Sequence, residues 1–528
     1  MTILDPGAPY GPPAGTPHEV LFTDCTIKRL PGTATADWML VRDGLVAALG
    51  DRDDVPPIHH VVHLDGATVL PAFCDAHVHL PTTGLYASGI DLRSVRARSQ
   101  ILEAFRRAAA SGGLLFAGNF DDSSGESVTR EDLDDAVGER EALLMRTDTH
   151  SCVASSALLH RLELDGVEGV DRDDAGAPSG NLREQAAALA WRWFENGVPR
   201  ETMREAMRAA ARHAYAKGVA EVHEMYVVEW RGWDSYDVLC DAVADLALQV
   251  VPYVATDDVE RVRSLGHRRI GGDWFLDGAF GSYTAWLGAP YEGATPAGTT
   301  PTGLRYRGDD EVHALFSAAQ KAGLQVGVHA IGDAAIEQAI STWERVAADT
   351  GLEAVRSLAH RIEHFECATD DQMARAARLG LRASVQPVFD AYWGGESGMY
   401  ADRIGRERAL GMNRFETMAS HGLILGSGSD STVTPLDPFL QMKALRLHHV
   451  EEERAGRTQA IRLVTMGARL QARARGPAGV LEPGLPADLV ALDRDPAAIE
   501  ADDLEHVEVI GTWIGGARVH PAEAAEHD

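Results

Sequence analysis

The chain has 528 residues, of which 45% are hydrophobic, and it carries a formal net charge of −30 at pH 7. This length exceeds that of one ordinary domain and is typical of a barrel with an accessory domain, whereas the strong negative charge argues against nucleic acid and anionic membranes as partners, because both would repel it. The five cysteines are widely spaced without a CxxC motif, which argues against a disulfide framework or a thiolate zinc site and favours a cytoplasmic location.

Both ends of the chain carry short strand-like segments. Residues 1–20 contain no basic segment followed by an apolar stretch, so we expect no secretory signal, and no apolar run is long enough to predict a membrane span. Strands are predicted within residues 20–30, 37–51, 479–493 and 507–519. We therefore expect a small β-sandwich domain formed by residues 1–70 and 476–528, because chain ends often lie close together.

The middle of the chain alternates apolar runs with helical stretches rich in Ala, Arg and Glu, a pattern typical of βα units around a parallel sheet. Eight runs are candidate strands: residues 68–77, 218–227, 248–254, 273–278, 324–330, 360–366, 381–389 and 422–430. They predict an α/β fold with a (β/α)₈ TIM barrel over residues 71–475. The stretch from about 82 to 212 is too long for one loop and predicts an inserted cap subdomain, the alternative being a separate domain of unrelated purpose.

The first candidate strand ends in a His-x-His motif formed by His77 and His79. Side chains two positions apart on a strand point to the same face, so these two imidazoles can hold one metal ion. Because the chain has 21 histidines, roughly one such motif is expected by chance. Its position is the stronger indication, since barrel folds place their sites at the carboxyl ends of their strands.

Three further metal-type side chains, His329, His364 and Asp430, end later strands in the same way. A core histidine is the usual explanation for any single one, but a series at successive strand ends is hard to obtain by chance. Imidazoles and a carboxylate suit zinc or a similar divalent ion, which lowers the pKa of its water toward ~7. Asp430 can then take the water proton and pass it to a leaving nitrogen. His364 can orient the water or polarise a carbonyl, the alternatives being a ligand or a structural hydrogen bond.

These residues resemble the amidohydrolase superfamily, and most closely the family 3 branch that contains N-substituted formamide deformylases. The resemblance covers nearly the whole chain and is carried by PAFCDAHVHL, DTHSCVASSALL, PSGNLREQA, FLDGAFGSYTAWL, VHAIGDAAIEQA, HRIEHFE, SGSD followed by TPLDPF, and GVLEPGLPADLVALD. It implies that His77 and His79 bind the metal from the first strand, His329 from the fifth and Asp430 from the eighth. His364 is then a ligand in two-metal members and a hydrogen-bonding group beside the metal in one-metal members.

One position departs from the pattern that this resemblance implies. The branch commonly has a lysine in the fourth strand, which is carbamylated in two-metal members to bridge the ions, whereas this chain has Asp273 there. Either Asp273 bridges two ions or the site holds one. We favour one ion, in which case His364 is a catalytic hydrogen-bonding partner. The alternative to a functional role for Asp273 is a solvated loop residue.

Four residues are candidates for contact with the substrate: Arg183, His150, Asp277 and Trp393. Arg183 and His150 lie in the predicted cap, where each could instead form a structural ion pair. Asp277 lies in the matching DGAFGS stretch. Trp393 follows the seventh strand, where an aromatic ring can line an apolar pocket but can equally anchor the loop.

The function predicted from these residues is metal-dependent hydrolysis of a C–N bond other than a peptide bond, in an amide, a formamide or a cyclic amide of small size. Deamination with release of ammonia is the alternative, because one-metal members of the superfamily are often deaminases. A third hypothesis is an inactive member that acts as a binding or regulatory protein. The oligomeric state stays open, with a homodimer as the candidate assembly.

Overall fold

A computed structural model describes residues 16–521 except positions 31, 33, 93, 94, 96, 121–126, 147–150, 296–298 and 473–477. The chain divides into two compact units. The first comprises Met1–His79, Ala214–Glu229 and Val243–Asp528, and the second comprises Leu80–His213 and Trp230–Ala242. No helix in these described ranges has the length and apolar character needed to cross a membrane.

Eight parallel strands form the centre of the first unit, and each overlaps one of the eight predicted segments, the fourth only at residues 273–275. They are β1 (Phe73–Val78), β2 (Val219–Val227), β3 (Gln249–Ala255), β4 (Arg269–Phe275), β5 (Gln325–Ala330), β6 (Arg361–His364), β7 (Arg382–Val385) and β8 (Ile424–Ser427). The strands pair as a three-stranded sheet in the order β3-β2-β1 and a five-stranded sheet in the order β4-β5-β6-β7-β8.

The carboxyl end of β1 meets the segment that follows β8. The backbone amide of Asp430 donates to the carbonyl of His77 at 2.8 Å, and the amide of His79 donates to the carbonyl of Ser431 at 3.1 Å. These bonds join the two sheets at the edge where the predicted metal-type residues lie. The mixed α/β class is confirmed, whereas the closed eight-stranded barrel stays a prediction, because the strands pair as two sheets.

The helices begin and end at residues suited to those positions. Thr369 and Gln372 form a capping box at the start of one helix, and Gly380 ends that helix with a left-handed φ of 73°, which glycine adopts without steric cost. In chain order the α-helices are Leu80–Ser88, Arg98–Ala110, Arg130–Val137, Ser156–Leu159, Glu184–Gly197, Arg200–Ala216, Val228–Val243, Val259–Ser264, Asp309–Ala322, Asp333–Thr350, Leu352–Leu358, Asp370–Leu379, Pro387–Trp393, Met399–Ile404, Arg406–Leu410, Phe415–Ser420, Pro438–Arg446, Arg457–Arg462 and Ala468–Leu470.

Strands from both chain ends form one mixed sheet in the first unit. The sheet has eight strands: Glu19–Lys28, Thr35–Ala36, Trp38–Arg42, Leu45–Gly50, Val61–Pro71, Leu489–Leu492, Val509–Ile514 and Ala517–His520. Its core includes Phe22 and Trp513, whose rings meet edge to face at 5.4 Å. Because these strands belong to a single sheet, the two-sheet sandwich stays a prediction.

The second unit contains a six-stranded sheet of its own. Its strands are Ile90–Asp91, Phe116–Phe120, Leu143–Arg146, Ser151–Ala154, Val170–Arg172 and Pro178–Arg183. Within this unit, Arg231 forms a buried ion pair with Glu195 at 3.0 Å. The role of this inserted segment as a cap stays a prediction.

Candidate metal centre

Six metal-type side chains converge at the carboxyl ends of the central strands. The fully buried His77 lies in β1, and His79 follows that strand. The other four come from four further strands or the residues directly after them: Asp273 in β4, His329 in β5, His364 in β6 and Asp430 after β8. The structure therefore brings together all five side chains that the sequence predicts as ligands or catalytic groups, and it adds Asp273.

Asp273 occupies the middle of this group. Its Oδ2 lies 3.5 Å from Nε2 of His77 and 3.2 Å from Nε2 of His79. Its Oδ1 lies 3.7 Å from Nδ1 of His329 and 3.8 Å from Nε2 of His364. The side chain is almost fully buried, so Asp273 is not the solvated loop residue that the sequence also allowed.

Asp430 also lies close to the first two histidines. Its Oδ1 lies 3.2 Å from Nε2 of His79 and 3.6 Å from Nε2 of His77. The backbone at Asp430 has a φ of 53°, and His364 has a φ of 70°. Left-handed backbone is uncommon outside glycine and tends to cluster at functional sites, where the surrounding structure maintains it.

The second ring nitrogen of each histidine faces an oxygen atom. Nδ1 of His77 lies 3.0 Å from Oε2 of Glu363, and Nδ1 of His79 lies 3.1 Å from the carbonyl oxygen of Met225. Nε2 of His329 lies 3.3 Å from the carbonyl oxygen of Gly278, and Nδ1 of His364 lies 2.8 Å from Oε1 of Gln386. Because an oxygen acceptor requires the proton on the nitrogen that faces it, the other nitrogen of each ring presents a lone pair whenever the ring is neutral, the form that binds a metal. All four lone pairs are directed at the carboxylates of Asp273 or Asp430.

This donor set fits a divalent cation. Nε2 of His77, Oδ1 of Asp273 and Nδ1 of His329 are buried without a hydrogen-bond partner among the residues that the structure describes, an arrangement that costs about 1–3 kcal/mol per atom unless something else compensates. Potential ligand atoms lie within 4.8 Å of one another in two groups: His77, His79 and Asp430, and His77, Asp273 and His364. Two carboxylates and four neutral imidazoles leave an excess of negative charge that cations can neutralise.

The electrostatics of the centre also favour positive charge. Burial opposes the charged form of His77, yet the Asp273 and Asp430 carboxylates raise its pKa well above its usual range. The same competition raises the pKa of His79 to about 10. Conversely, burial opposes ionisation of Asp273, but the neighbouring histidines, His77 first, hold its pKa well below the usual range. A site that stabilises protons on imidazoles next to ionised carboxylates is suited to replace those protons with metal ions.

The structure places the four predicted substrate residues in different surroundings. The Arg183 side chain is 62% exposed and pairs with Asp171, whereas His150 lies outside the described residues. Trp393 is half-buried, with its ring 4.8 Å from that of Phe389, which stacks 6.1 Å from the His364 ring. Substrate contacts of Arg183, His150 and Trp393 stay predictions.

Asp277 supports the loop beside His329. Its Oδ1 accepts from the amide of Ile331 at 3.0 Å, and its Oδ2 accepts from the amides of Gly332 and Trp286 at 2.8 Å each. Burial raises the pKa of this carboxyl to about 6, although the His329 charge and these amides oppose the rise. The contacts indicate a structural role and give no support to the predicted contact with substrate.

Replacement of Asp277 tests this structural role. In the wild type, three backbone N–H groups donate to the Asp277 carboxylate. In Asp277→Asn one carboxylate oxygen becomes an NH₂ group, which cannot accept, so at least one buried donor loses its partner. We expect a loss of about 1–3 kcal/mol, measured as a lower midpoint of urea unfolding of the metal-free protein. An unchanged midpoint would contradict the structural role.

Sequence reasoning missed two residues that hold the ring nitrogens in place, Glu363 and Gln386. Glu363 directly precedes His364 in the HRIEH segment, where its acidic side chain in an apolar strand was the available signal. Gln386 follows β7 and carries no comparable signal, because a single glutamine at a strand end is common.

Comparisons with known proteins identify the family of this chain. A family model described as the amidohydrolase family matches residues 60–520. The chain is 26% identical to the protein LONG AFTER FAR-RED 3 of Arabidopsis thaliana, over 97% of this chain and 93% of that protein. It is 24% identical to an N-substituted formamide deformylase of Arthrobacter pascens, over 91% of this chain and 94% of that enzyme. The crystal structure of an uncharacterized metal-dependent hydrolase from Pyrococcus furiosus superposes with a TM-score of 0.75 at 26% identity, covering 91% of this chain and 100% of that one.

Proposed function

Because this chain belongs to the amidohydrolase family, we propose that it is a metal-dependent hydrolase that cleaves a C–N bond in a small amide, formamide or cyclic amide. The observation that carries the proposal is the convergence of four imidazole lone pairs on Asp273 and Asp430. The similarity to an N-substituted formamide deformylase supports the choice of an acyl–nitrogen bond. Zinc is the proposed metal, since imidazole and carboxylate ligands suit it. A closed (β/α)₈ barrel and a cytoplasmic location belong to the same proposal.

We propose two metal positions, one on each side of Asp273. Oδ2 of Asp273 faces His77 and His79, which together with Asp430 would hold one ion, and Oδ1 faces His329 and His364, which would hold the other. Zinc binds nitrogen and oxygen at about 2.0–2.2 Å, and the separations of 3.2–3.8 Å between the Asp273 oxygens and the four nitrogens leave room for an ion on either side. This arrangement favours the bridging alternative over the single ion that the sequence pattern favours.

The chemistry then depends on a few side chains. When bound, the divalent ions lower the pKa of water and polarise the substrate carbonyl. Asp430 accepts the proton of the attacking water and later donates it to the leaving nitrogen. Nε2 of His79 lies 3.2 Å from Oδ1 of Asp430, so an ion held by both residues would fix the position of this carboxylate. His364 is a ligand in this two-ion arrangement, and it would orient the water if only one ion were bound.

The products of hydrolysis test the proposal. Protein loaded with zinc should release formate or another carboxylate from a panel of N-substituted formamides and cyclic amides, detected by mass spectrometry. Release of ammonia from amino-substituted heterocycles, with no carboxylate from any amide, would instead establish the deaminase alternative. No product in either panel, despite full metal loading, would favour an inactive binding protein.

A further inference from the structure

The four histidines differ in the kind of oxygen that their second ring nitrogen meets. His79 and His329 face backbone carbonyls, and His364 faces the neutral amide of Gln386. Among these described contacts, His77 alone meets a carboxylate at hydrogen-bond distance, that of Glu363 at 3.0 Å, whereas Nε2 of His329 lies 3.7 Å from Oδ1 of Asp277. A carboxylate acceptor holds an imidazole in one tautomer as a carbonyl does, and it also increases the electron density on the nitrogen that binds a metal.

Arg361 holds the Glu363 carboxylate in position. Arg361 Nε donates to Oε1 of Glu363 and Nη2 donates to Oε2, both at 2.5 Å, and Nη2 also donates to the carbonyl of Ala76 at 2.6 Å. Both side chains are completely buried. Ala76 directly precedes His77, so one guanidinium group contacts both the partner of that ring and the backbone that carries it. This bidentate ion pair keeps the Glu363 carboxylate ionised although it is buried away from solvent.

The backbone of β6 allows two successive residues to contact this centre. Side chains at positions 361 and 363 share one face of a regular strand, whereas position 364 would point to the other face. The left-handed φ of 70° at His364 ends the regular strand, and both Glu363 and His364 then contact the metal centre.

A separate group of metal-type side chains, formed by Cys74, Glu221 and His223, supports Arg361 through His223. Arg361 Nη1 lies 3.0 Å from Nδ1 of His223, which must accept because the guanidinium can only donate. Nε2 of His223 therefore carries the proton and donates to Oε1 of Glu221 at 3.2 Å. A protonated nitrogen is not a metal ligand, so this group supports the guanidinium and does not form a separate metal site.

We propose that Glu363, held by Arg361, is a positioning residue that sets the metal affinity of the centre through His77. The inference rests on the proposed metal centre and assigns no chemical step to Glu363. It predicts that loss of the carboxylate charge weakens metal binding even when the fold and the other ligands are intact.

Zinc titration of Glu363→Gln tests this inference. The dissociation constant for zinc is measured by competition with a chromogenic chelator, and the melting temperature is measured on the metal-free protein. Glutamine retains the size of the side chain and one acceptor oxygen but loses the charge, so we expect affinity to fall about 10–100-fold. Wild-type affinity in a folded Glu363→Gln protein would overturn the inference.

Asp488→Asn provides a matched control. Asp488 is a buried carboxylate paired with a buried arginine, Arg469, at 3.1 Å, and it also accepts from Gln249 and from the amide of Gly515. We expect this variant to lower the melting temperature without a change in zinc affinity. If Glu363→Gln and Asp488→Asn lost zinc affinity equally, the loss would be a consequence of general destabilisation, and the inference would be overturned.

Two further outcomes are distinguishable. If Glu363→Gln does not fold, Arg361→Lys keeps a positive charge but loses the bidentate grip, and we expect its zinc affinity to fall several-fold; wild-type affinity there would overturn the inference. The titration needs no substrate, so a wild-type protein that binds zinc but hydrolyses nothing defeats the proposed function alone. A wild-type protein without zinc affinity defeats both.

Discussion

Asp430→Asn is expected to reduce turnover by about 10²–10⁴-fold, the range typical of a lost general acid–base group, while the protein remains folded. Asparagine has nearly the same size as aspartate, and it is among the residues that best tolerate left-handed backbone such as the φ of 53° at this position. In protein that retains its metal, the loss should therefore be one of proton transfer, seen in kcat on whichever substrate the product screen identifies.

A matched control for this variant is Asp437→Asn. Asp437 caps the Pro438–Arg446 helix by accepting from two backbone amides, a role that asparagine also performs well. We expect Asp437→Asn to keep the kcat of the wild type. Near-normal turnover in Asp430→Asn, with the same metal content as the wild type, would remove Asp430 from the mechanism.

Asp273→Asn is expected to change the metal content of the protein. If the carboxylate bridges two ions, loss of its charge leaves the His329 and His364 position without an anionic ligand, and the purified variant should retain one ion where the wild type retains two. Inductively coupled plasma mass spectrometry after gel filtration measures this ratio directly.

The same measurement separates the two descriptions of the centre. A site with a single ion predicts equal metal content in the wild type and in Asp273→Asn, because the ligands His77, His79, His329 and Asp430 remain. Asp257→Asn is a suitable control, since Asp257 is 52% exposed and pairs with Arg307. A wild type with one ion per chain would contradict the bridging role of Asp273.

The elements of the central fold were predictable because their signals are local. Each of the eight apolar segments overlaps a strand, since a short apolar run bounded by turn residues favours a buried strand in any environment. Their pairing was harder to predict. Strands of both chain ends join one eight-stranded sheet, a result of contacts between residues more than 400 positions apart in the sequence.

The candidate site was predictable to the level of residue type and strand end. His77, His79, His329, His364 and Asp430 were identified because each stands where a buried strand meets a loop, and parallel strands bring such ends together. The roles of Asp273 and Asp277 were not predictable in this way. Both are acidic residues of the DWFLDG segment, yet one faces four imidazoles and the other binds three backbone amides.

The sequence by itself determined the strands, the ligand types and the family to which the chain belongs. The tertiary structure decided which acid lies between the histidines and which residue orients each ring. The contact between His77 and Glu363 joins positions 286 residues apart, and no local periodicity encodes such a pair. Side-chain chemistry can be read one residue at a time, whereas the direction in which a lone pair points depends on the packing of the whole fold.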